Sequence, residues 1–156
     1  MTERVILLVE DIPDDEALML RGLLQGGIAN EVIVAHDGAE ALDYLFATGV
    51  HEGRDMLDLP AVVLLDLKLP KLNGLEVLKR MRADERTRLV PVVVITSSDE
   101  QRDMTESYHL GCNSYVRKPV NFTDFVDAVR QLGLYWLLLN QPPPLLGVEH
   151  RAPQRE

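Results

Sequence analysis

The chain has 156 residues, of which 46% are hydrophobic and 26% charged, a composition typical of one globular domain. Its net charge of −9 at pH 7 argues against a nucleic-acid-binding surface, because such surfaces are basic. The single cysteine, Cys112, excludes an internal disulfide and is typical of a reducing compartment. The sequence carries no signal-peptide pattern and no apolar run long enough to cross a membrane, so it predicts a cytoplasmic protein.

Five short segments, taken in chain order, predict five β-strands, and the first four of these runs are rich in apolar residues. They occupy residues 5–9, 31–35, 61–65, 91–95 and 113–117. The third run is apolar at every position, which is typical of a strand buried on both faces of a parallel sheet. Asp66 follows this run at once, and Pro70 prevents the strand from continuing.

An amphipathic segment with a helix-start signal follows each run. The predicted starts lie at or near Pro13, Asp37, Asn73, Ser98 and Thr123. Glu40 and Gln101 stand three residues after Asp37 and Ser98, a spacing that predicts two capping boxes.

This alternation of strand and helix predicts an α/β fold with a doubly wound, five-stranded parallel sheet. We expect the flavodoxin-like strand order 2-1-3-4-5, with five helices and a C-terminal arm. Residues 1–139 should form one domain with an extended last helix, and residues 140–156 a proline-rich tail.

Polar side chains stand where four of the strands end. They are Glu10, Asp11, Asp66, Thr96 and Lys118. A parallel sheet brings these ends to one edge, where ligands bind in open α/β sheets. Three crowded carboxylates repel one another, and Mg²⁺ relieves that repulsion because it prefers a few oxygen ligands.

Such a group of side chains suits phosphoryl transfer with Asp66 as nucleophile, since cations would neutralise the phosphoryl oxygens. Each residue alone has an ordinary interpretation. Thr96 could merely end a strand, Lys118 could be a surface lysine, and Glu10 with Asp11 could form a solvated turn. Their joint occurrence at strand ends favours a site.

These motifs resemble those of response-regulator receiver domains. The matching segments are Val9-Glu10-Asp11, Leu65 to Pro70 with Asn73-Gly74, Ile95-Thr96-Ser97, and Tyr115 to Pro119. The resemblance implies that Asp66 accepts a phosphoryl group from a histidine kinase. It also implies that Asp11, Asp66 and the backbone carbonyl of Lys68 bind Mg²⁺, with Glu10 acting through water.

The same resemblance assigns further roles. Thr96 and Lys118 would contact the phosphoryl group, and Thr96 and Tyr115 would form the conformational switch. In this family the peptide bond corresponding to Lys118–Pro119 is usually cis. Glu10 stands where many relatives have Asp, which lengthens the reach to the metal.

A narrower resemblance lies in the polar loop 48–59 and in residues 135–143. Both look like the small response regulators that partner bacterial phytochromes. This resemblance implies a stand-alone receiver whose partner is a bacteriophytochrome histidine kinase.

The last helix is apolar on more sides than one core contact needs, which indicates an interface. We expect a homodimer built on Tyr135, Trp136, Leu137, Leu138 and Leu139, with Pro142 and Pro143 beginning an arm that reaches the partner. Alternatively, the tail folds back and covers its own domain.

Two other functions fit parts of the pattern. A magnesium phosphatase with an Asp nucleophile would want a second Asp two residues after the first, where this chain has Lys68. A flavin carrier would want a Ser/Thr/Gly-rich loop after the first strand, where the acids of this chain would repel a flavin phosphate.

Overall fold

The computed structural model describes residues 4–143 and contains the predicted five-stranded sheet. Its strands are β1 Ile6–Val9, β2 Val32–Ala35, β3 Val62–Leu65, β4 Val92–Thr96 and β5 Ser114–Arg117. All pairings are parallel, and the order is β2-β1-β3-β4-β5. The predicted fold class and strand order are therefore confirmed. Residues 144–156, which include most of the predicted arm, lie outside the described residues.

Five α-helices connect and follow the strands. They are α1 Pro13–Gln25, α2 Gly38–Phe46, α3 Gly74–Ala83, α4 Gln101–His109 and α5 Phe122–Gly133. A π-helix, Leu134–Leu139, continues α5, and a single 3₁₀ turn, Gly49–His51, lies in the loop after α2.

The core has two layers because successive strand residues point to opposite faces of the sheet. Leu7 and Val63 face α2 and α3, whereas Leu8 and Leu64 face α1 and α5. Both layers consist mainly of buried apolar side chains, which explains why the sequences of β1, β3 and β4 are almost continuously apolar.

Helix α1 packs very closely on α5 through a glycine. A Cβ atom added to Gly22 would lie 2.7 Å from the carbonyl oxygen of Val126 and 2.8 Å from the Cβ of Val129. The missing side chain therefore allows the two backbones to approach each other.

Two of the predicted helix starts are confirmed by their caps. The Asp37 side chain accepts from the backbone N–H of Glu40 at 2.7 Å, and Asn73 accepts from that of Glu76 at 3.0 Å. The prediction for Ser98 is wrong: α4 begins after Glu100, and the Ser98 hydroxyl donates instead to the Asp103 carboxylate at 2.6 Å.

The expected cis bond before Pro119 is also absent. No peptide bond among residues 4–143 is cis, so the Lys118–Pro119 bond has the trans form that most X–Pro bonds adopt. Within the same residues, no helix combines the length and the hydropathy needed to cross a lipid bilayer.

Candidate phosphoryl-transfer and metal site

The predicted site residues meet at the carboxyl edge of the sheet because the strands carry them there. Backbone hydrogen bonds continue beyond the strands. The N–H of Asp66 donates to Val9 at 3.1 Å, and the N–H of Lys118 donates to Thr96 at 2.7 Å. These two bonds hold Asp66 beside the end of β1 and Lys118 beside the end of β4.

Glu10, Asp11 and Asp66 form the acidic cluster. One carboxylate oxygen from each lies within 4.8 Å of the others. Glu10 is 1% exposed and Asp66 is 3% exposed. Carboxylates that are this close together and this deeply buried repel one another unless they share a cation or a proton.

The oxygens of the acidic cluster fit a hard divalent cation. Glu10 Oε1 and Asp11 Oδ1 are buried and accept no hydrogen bond. A buried oxygen that accepts no hydrogen bond is costly, and one cation could bind both oxygens at once. The prediction of a Mg²⁺ site therefore agrees with the carboxylate oxygens that the fold brings together as possible metal ligands.

Lys118 supplies the positive charge of the site. Its Nζ atom lies 2.9 Å from Asp66 Oδ2, 2.9 Å from Glu10 Oε1 and 2.7 Å from Asp15 Oδ2. The contact to Glu10 is an ion pair without hydrogen-bond alignment, whereas those to Asp66 and Asp15 are hydrogen bonds. Lys118 is thus a buried member of the site and not a surface lysine.

Burial and charge shift the pKa values of two of these groups. Burial raises the pKa of Glu10 from 4.5 to about 7; the nearby positive charge of Lys118 opposes the rise, and the negative charge of Asp66 adds to it. Burial would lower the pKa of Lys118, but the carboxylates of Asp15, Asp66 and Glu10 outweigh it and raise that pKa. The raised pKa of Lys118 therefore reflects the carboxylates around it, whereas that of Glu10 reflects chiefly its burial.

The loop after β3 fixes the orientation of Asp66. Its Oδ1 atom accepts from the backbone N–H of Lys68 at 3.3 Å, and its Oδ2 atom accepts from Lys118. Gly74 makes this loop possible, because a Cβ atom there would lie 2.3 Å from the Asp66 carbonyl oxygen. The carboxylate is therefore held from both sides.

Thr96 and Tyr115 are linked through the loop after β4. Thr96 is fully buried, and its hydroxyl accepts from the backbone N–H of Ser98 at 3.3 Å. The Tyr115 hydroxyl donates to the Ser98 carbonyl at 3.3 Å. A movement of Thr96 would therefore be transmitted to Tyr115 through Ser98, which is hydrogen-bonded to both.

The residues of the predicted dimer surface lie at the other end of the molecule. Arg4, which precedes β1, donates to the Pro143 carbonyl at 3.3 Å. Trp136 and Leu137 pack in part against the α1 and α5 side of the core. Tyr135, Leu138 and Leu139 are exposed.

Sequence reasoning missed Asp15. An acid in a first helical turn is favourable there for helix stability alone, so the residue type by itself does not indicate a functional role. The available signal was spacing: Asp15 lies in the first helical turn, four residues after Asp11. That turn follows directly from the carboxyl end of β1, so a side chain there can reach the site.

A sequence profile described as the response regulator receiver domain matches residues 6–130. The chain belongs to this family. The response regulator Rcp1 of Synechocystis sp. is 37% identical over 134 residues, which cover 86% of this chain and 89% of Rcp1. The crystal structure of the Mn²⁺-bound form of Rcp1 matches with a TM-score of 0.84 at 35% identity, covering 90% of this chain and 99% of that chain.

Two further solved structures are similar over nearly their whole length. The phosphorylated cyanobacterial phytochrome response regulator RcpA has 33% identity and a TM-score of 0.85, covering 92% of this chain and 100% of its own. The bacteriophytochrome response regulator AtBRR has 52% identity and a TM-score of 0.72, covering 90% and 100%. The chain is therefore a response regulator similar to those of phytochromes.

Proposed function

We propose that Asp66 is the phosphoacceptor of this response regulator and that Mg²⁺ is held by Glu10, Asp11, Asp66 and the backbone carbonyl of Lys68. The observation that carries the proposal is the buried acidic cluster at the carboxyl edge of the sheet, in which two oxygens accept no hydrogen bond and one lysine supplies positive charge. Buried charges of this kind are rare in a merely structural role.

In the reaction, an oxygen of the Asp66 carboxylate forms a bond to phosphorus. The bond between phosphorus and the donor, a histidine nitrogen of the kinase, breaks, and its electron pair leaves with the donor. Lys118 neutralises the phosphoryl oxygens from one side, and Thr96 offers them a hydroxyl. A cation held by Glu10, Asp11 and Asp66 would shield the negative charge that the three carboxylates and the phosphoryl group bring together.

The phosphorylated chain signals by changing shape and not by turning over a substrate. The phosphoryl group adds a charge of about −1.5 to −2 at pH 7 and strong acceptor oxygens. Thr96 moves toward these acceptors, and Tyr115 turns inward as the loop around Ser98 follows. Slow hydrolysis of the acyl phosphate, catalysed by the same residues, resets the switch.

The kinase that supplies the phosphoryl group is a bacteriophytochrome acting in the cytoplasm. The similarity to RcpA and AtBRR over nearly the whole of each chain supports this choice of partner. The loop 48–59, which first pointed to these regulators, is also well anchored. Arg54 donates to Tyr44 at 2.8 Å and to Asp58 at 2.7 Å, and its guanidinium lies 4.2 Å from the Tyr44 ring.

A second part of this proposal is a homodimer formed through the end of the last helix. Leu138 is 64% exposed and Leu139 is 69% exposed, beside an exposed Tyr135. Three adjacent apolar side chains in water favour association with another apolar surface. Pro142 and Pro143 begin the arm that reaches the partner.

No observation favours the magnesium phosphatase. The side chain two residues after Asp66 is the exposed Lys68, which is no substitute for a carboxylic acid as proton donor.

The phosphoacceptor is tested by incubating the protein with acetyl phosphate and Mg²⁺ and separating the products on a phosphate-sensitive gel. We expect a shifted band for the wild type, none after removal of Mg²⁺ with a chelator, and none for Asp66→Asn, which keeps the shape but removes the nucleophile. A shifted band that persists in Asp66→Asn would refute the assignment.

A further inference from the structure

Lys118 is held by a carboxylate that does not belong to the acidic cluster. Asp15 Oδ2 lies 2.7 Å from the Lys118 ammonium, the shortest of its three carboxylate contacts. Asp15 comes from the first turn of α1, whereas the cluster of possible metal ligands consists of Glu10, Asp11 and Asp66. The Asp15 side chain is 22% exposed, so it forms the outer wall of the site.

The position of Asp15 leaves it paired with Lys118 when the other carboxylates turn to a cation. An ammonium group has three N–H donors, and two of them now go to Asp15 and Asp66. Mg²⁺ would draw the cluster oxygens toward itself, but Asp15 would keep its hydrogen bond. One donor of the lysine would then be unavailable to an incoming phosphoryl group.

The charge of the site leads to the same conclusion. The three cluster carboxylates are balanced by one divalent cation and one lysine, so the charge of Asp15 remains in excess. A phosphodonor is itself an anion and would be repelled by that excess at short range in a partly buried site.

We propose that Asp15 is a positioning residue that competes with the phosphoryl group for Lys118 and thereby slows phosphorylation of Asp66. This inference rests on the proposed function of Asp66. In the reaction, Asp66 bonds to phosphorus, the phosphorus–oxygen bond to acetate breaks, and acetate leaves with the electron pair. Asp15 takes no part in these bonds and acts only through the position and charge of Lys118.

The test compares the initial rate of phosphorylation by acetyl phosphate, at saturating Mg²⁺ and low donor concentration, in wild type and four variants. Asp15→Asn and Asp15→Ala remove the charge, and Asp15→Glu keeps it. Asp14→Asn removes the same charge from the neighbouring exposed residue, which has no contact with Lys118 among the described ion pairs. Thermal unfolding confirms that each variant is folded.

We expect Asp15→Asn and Asp15→Ala to be phosphorylated about three- to tenfold faster than the wild type, with the gain shrinking as salt is added. Asp15→Glu and Asp14→Asn should remain within about twofold of the wild type. A loss of folding in Asp15 variants would not produce a faster, salt-dependent reaction, so the readout separates positioning from mere structure.

Three results would overturn the inference. Unchanged or slower phosphorylation of both charge-removing variants would show that Asp15 does not compete for the lysine. An equal gain in Asp14→Asn would show that net charge alone acts. A wild type that is not phosphorylated on Asp66 would overturn the proposed function and this inference with it, whereas the first two results leave the proposed function intact.

Discussion

At the scale of single residues, Glu10 links the stability of the fold to its charge state. Its pKa is raised by burial to about 7, against an ordinary value of 4.5, so the folded protein favours the protonated form. A raised carboxyl pKa contributes stability that is fully present below pH 4.5 and is lost as the pH rises through 7. The metal-free protein should therefore become less stable on going from pH 5 toward pH 8.

We expect Glu10→Gln to remove most of this pH dependence and to stabilise the metal-free protein at pH 8 by about 1–3 kcal/mol, because no buried negative charge remains. Urea unfolding in the presence of a chelator, at several pH values, measures the effect. Glu52→Gln, which changes an exposed carboxyl, is the matched control. An unchanged pH dependence in Glu10→Gln would contradict the assigned cause.

The residue scale also contains the switch. Crystal structures with and without a phosphate mimic should differ in the side-chain conformations of Thr96 and Tyr115. The phosphoryl oxygens would accept a hydrogen bond from the Thr96 hydroxyl and draw it away from the Ser98 N–H that donates to it in the unmodified protein. Identical rotamers of both residues in the two states would refute the switch for this protein.

Individual site residues were predictable to different degrees. Asp66 and Lys118 could be placed because each directly follows a strand, and strand ends converge at one edge. Asp15 could not be assigned, because an acid in a first helical turn has an ordinary explanation in the helix dipole. Only the three-dimensional structure shows that its carboxylate points to Lys118 and not to solvent.

At the scale of secondary-structure elements, the contact of α1 with α5 depends on Gly22. Gly22→Ala should destabilise the protein by about 1–3 kcal/mol, since the added methyl group would meet the Val126 carbonyl and Val129. Gly26→Ala is the control, because there the nearest atom, at 3.3 Å, belongs to the flexible Arg130 side chain. Urea unfolding measures the free energy of unfolding of both variants. Equal losses of stability in the two would refute the close-packing argument.

Strands and helices were predicted unequally well for physical reasons. The strands were readable because burial on both faces leaves no polar residue within β1 or β3. The start of α4 could not be predicted from the sequence. The Ser98 hydroxyl donates to the Asp103 carboxylate and does not cap the helix, which begins without a side-chain cap. The π-helix at Leu134–Leu139 was missed because its apolar residues fit an ordinary α-helical continuation.

At the scale of the whole molecule, the proposed homodimer rests on the exposed leucines after α5. Trp136 and Leu137 contact their own core, so truncating the chain there would damage the fold as well as the surface. Substitution of Leu138 and Leu139 by Asp avoids that problem, and Leu24→Asp, at a leucine 75% exposed on α1, is the matched control.

We expect light scattering to give a dimer for the wild type and for Leu24→Asp, and a monomer for the Leu138→Asp, Leu139→Asp double variant. The reason is that two charges at the centre of an apolar interface cannot be desolvated cheaply. A wild-type monomer at tens of micromolar would exclude the dimer, and a double variant that remains dimeric would place the interface elsewhere.

The phosphoacceptor is the central claim, and chemical trapping tests it most directly. Borohydride reduces an aspartyl phosphate to homoserine, so peptide mass spectrometry after reduction identifies the residue that carried the phosphoryl group. After phosphorylation with Mg²⁺ we expect homoserine at position 66 and none when the metal is chelated. Homoserine at Asp11 or Asp15 in place of Asp66, or a stable phosphate on another side chain, would contradict the account.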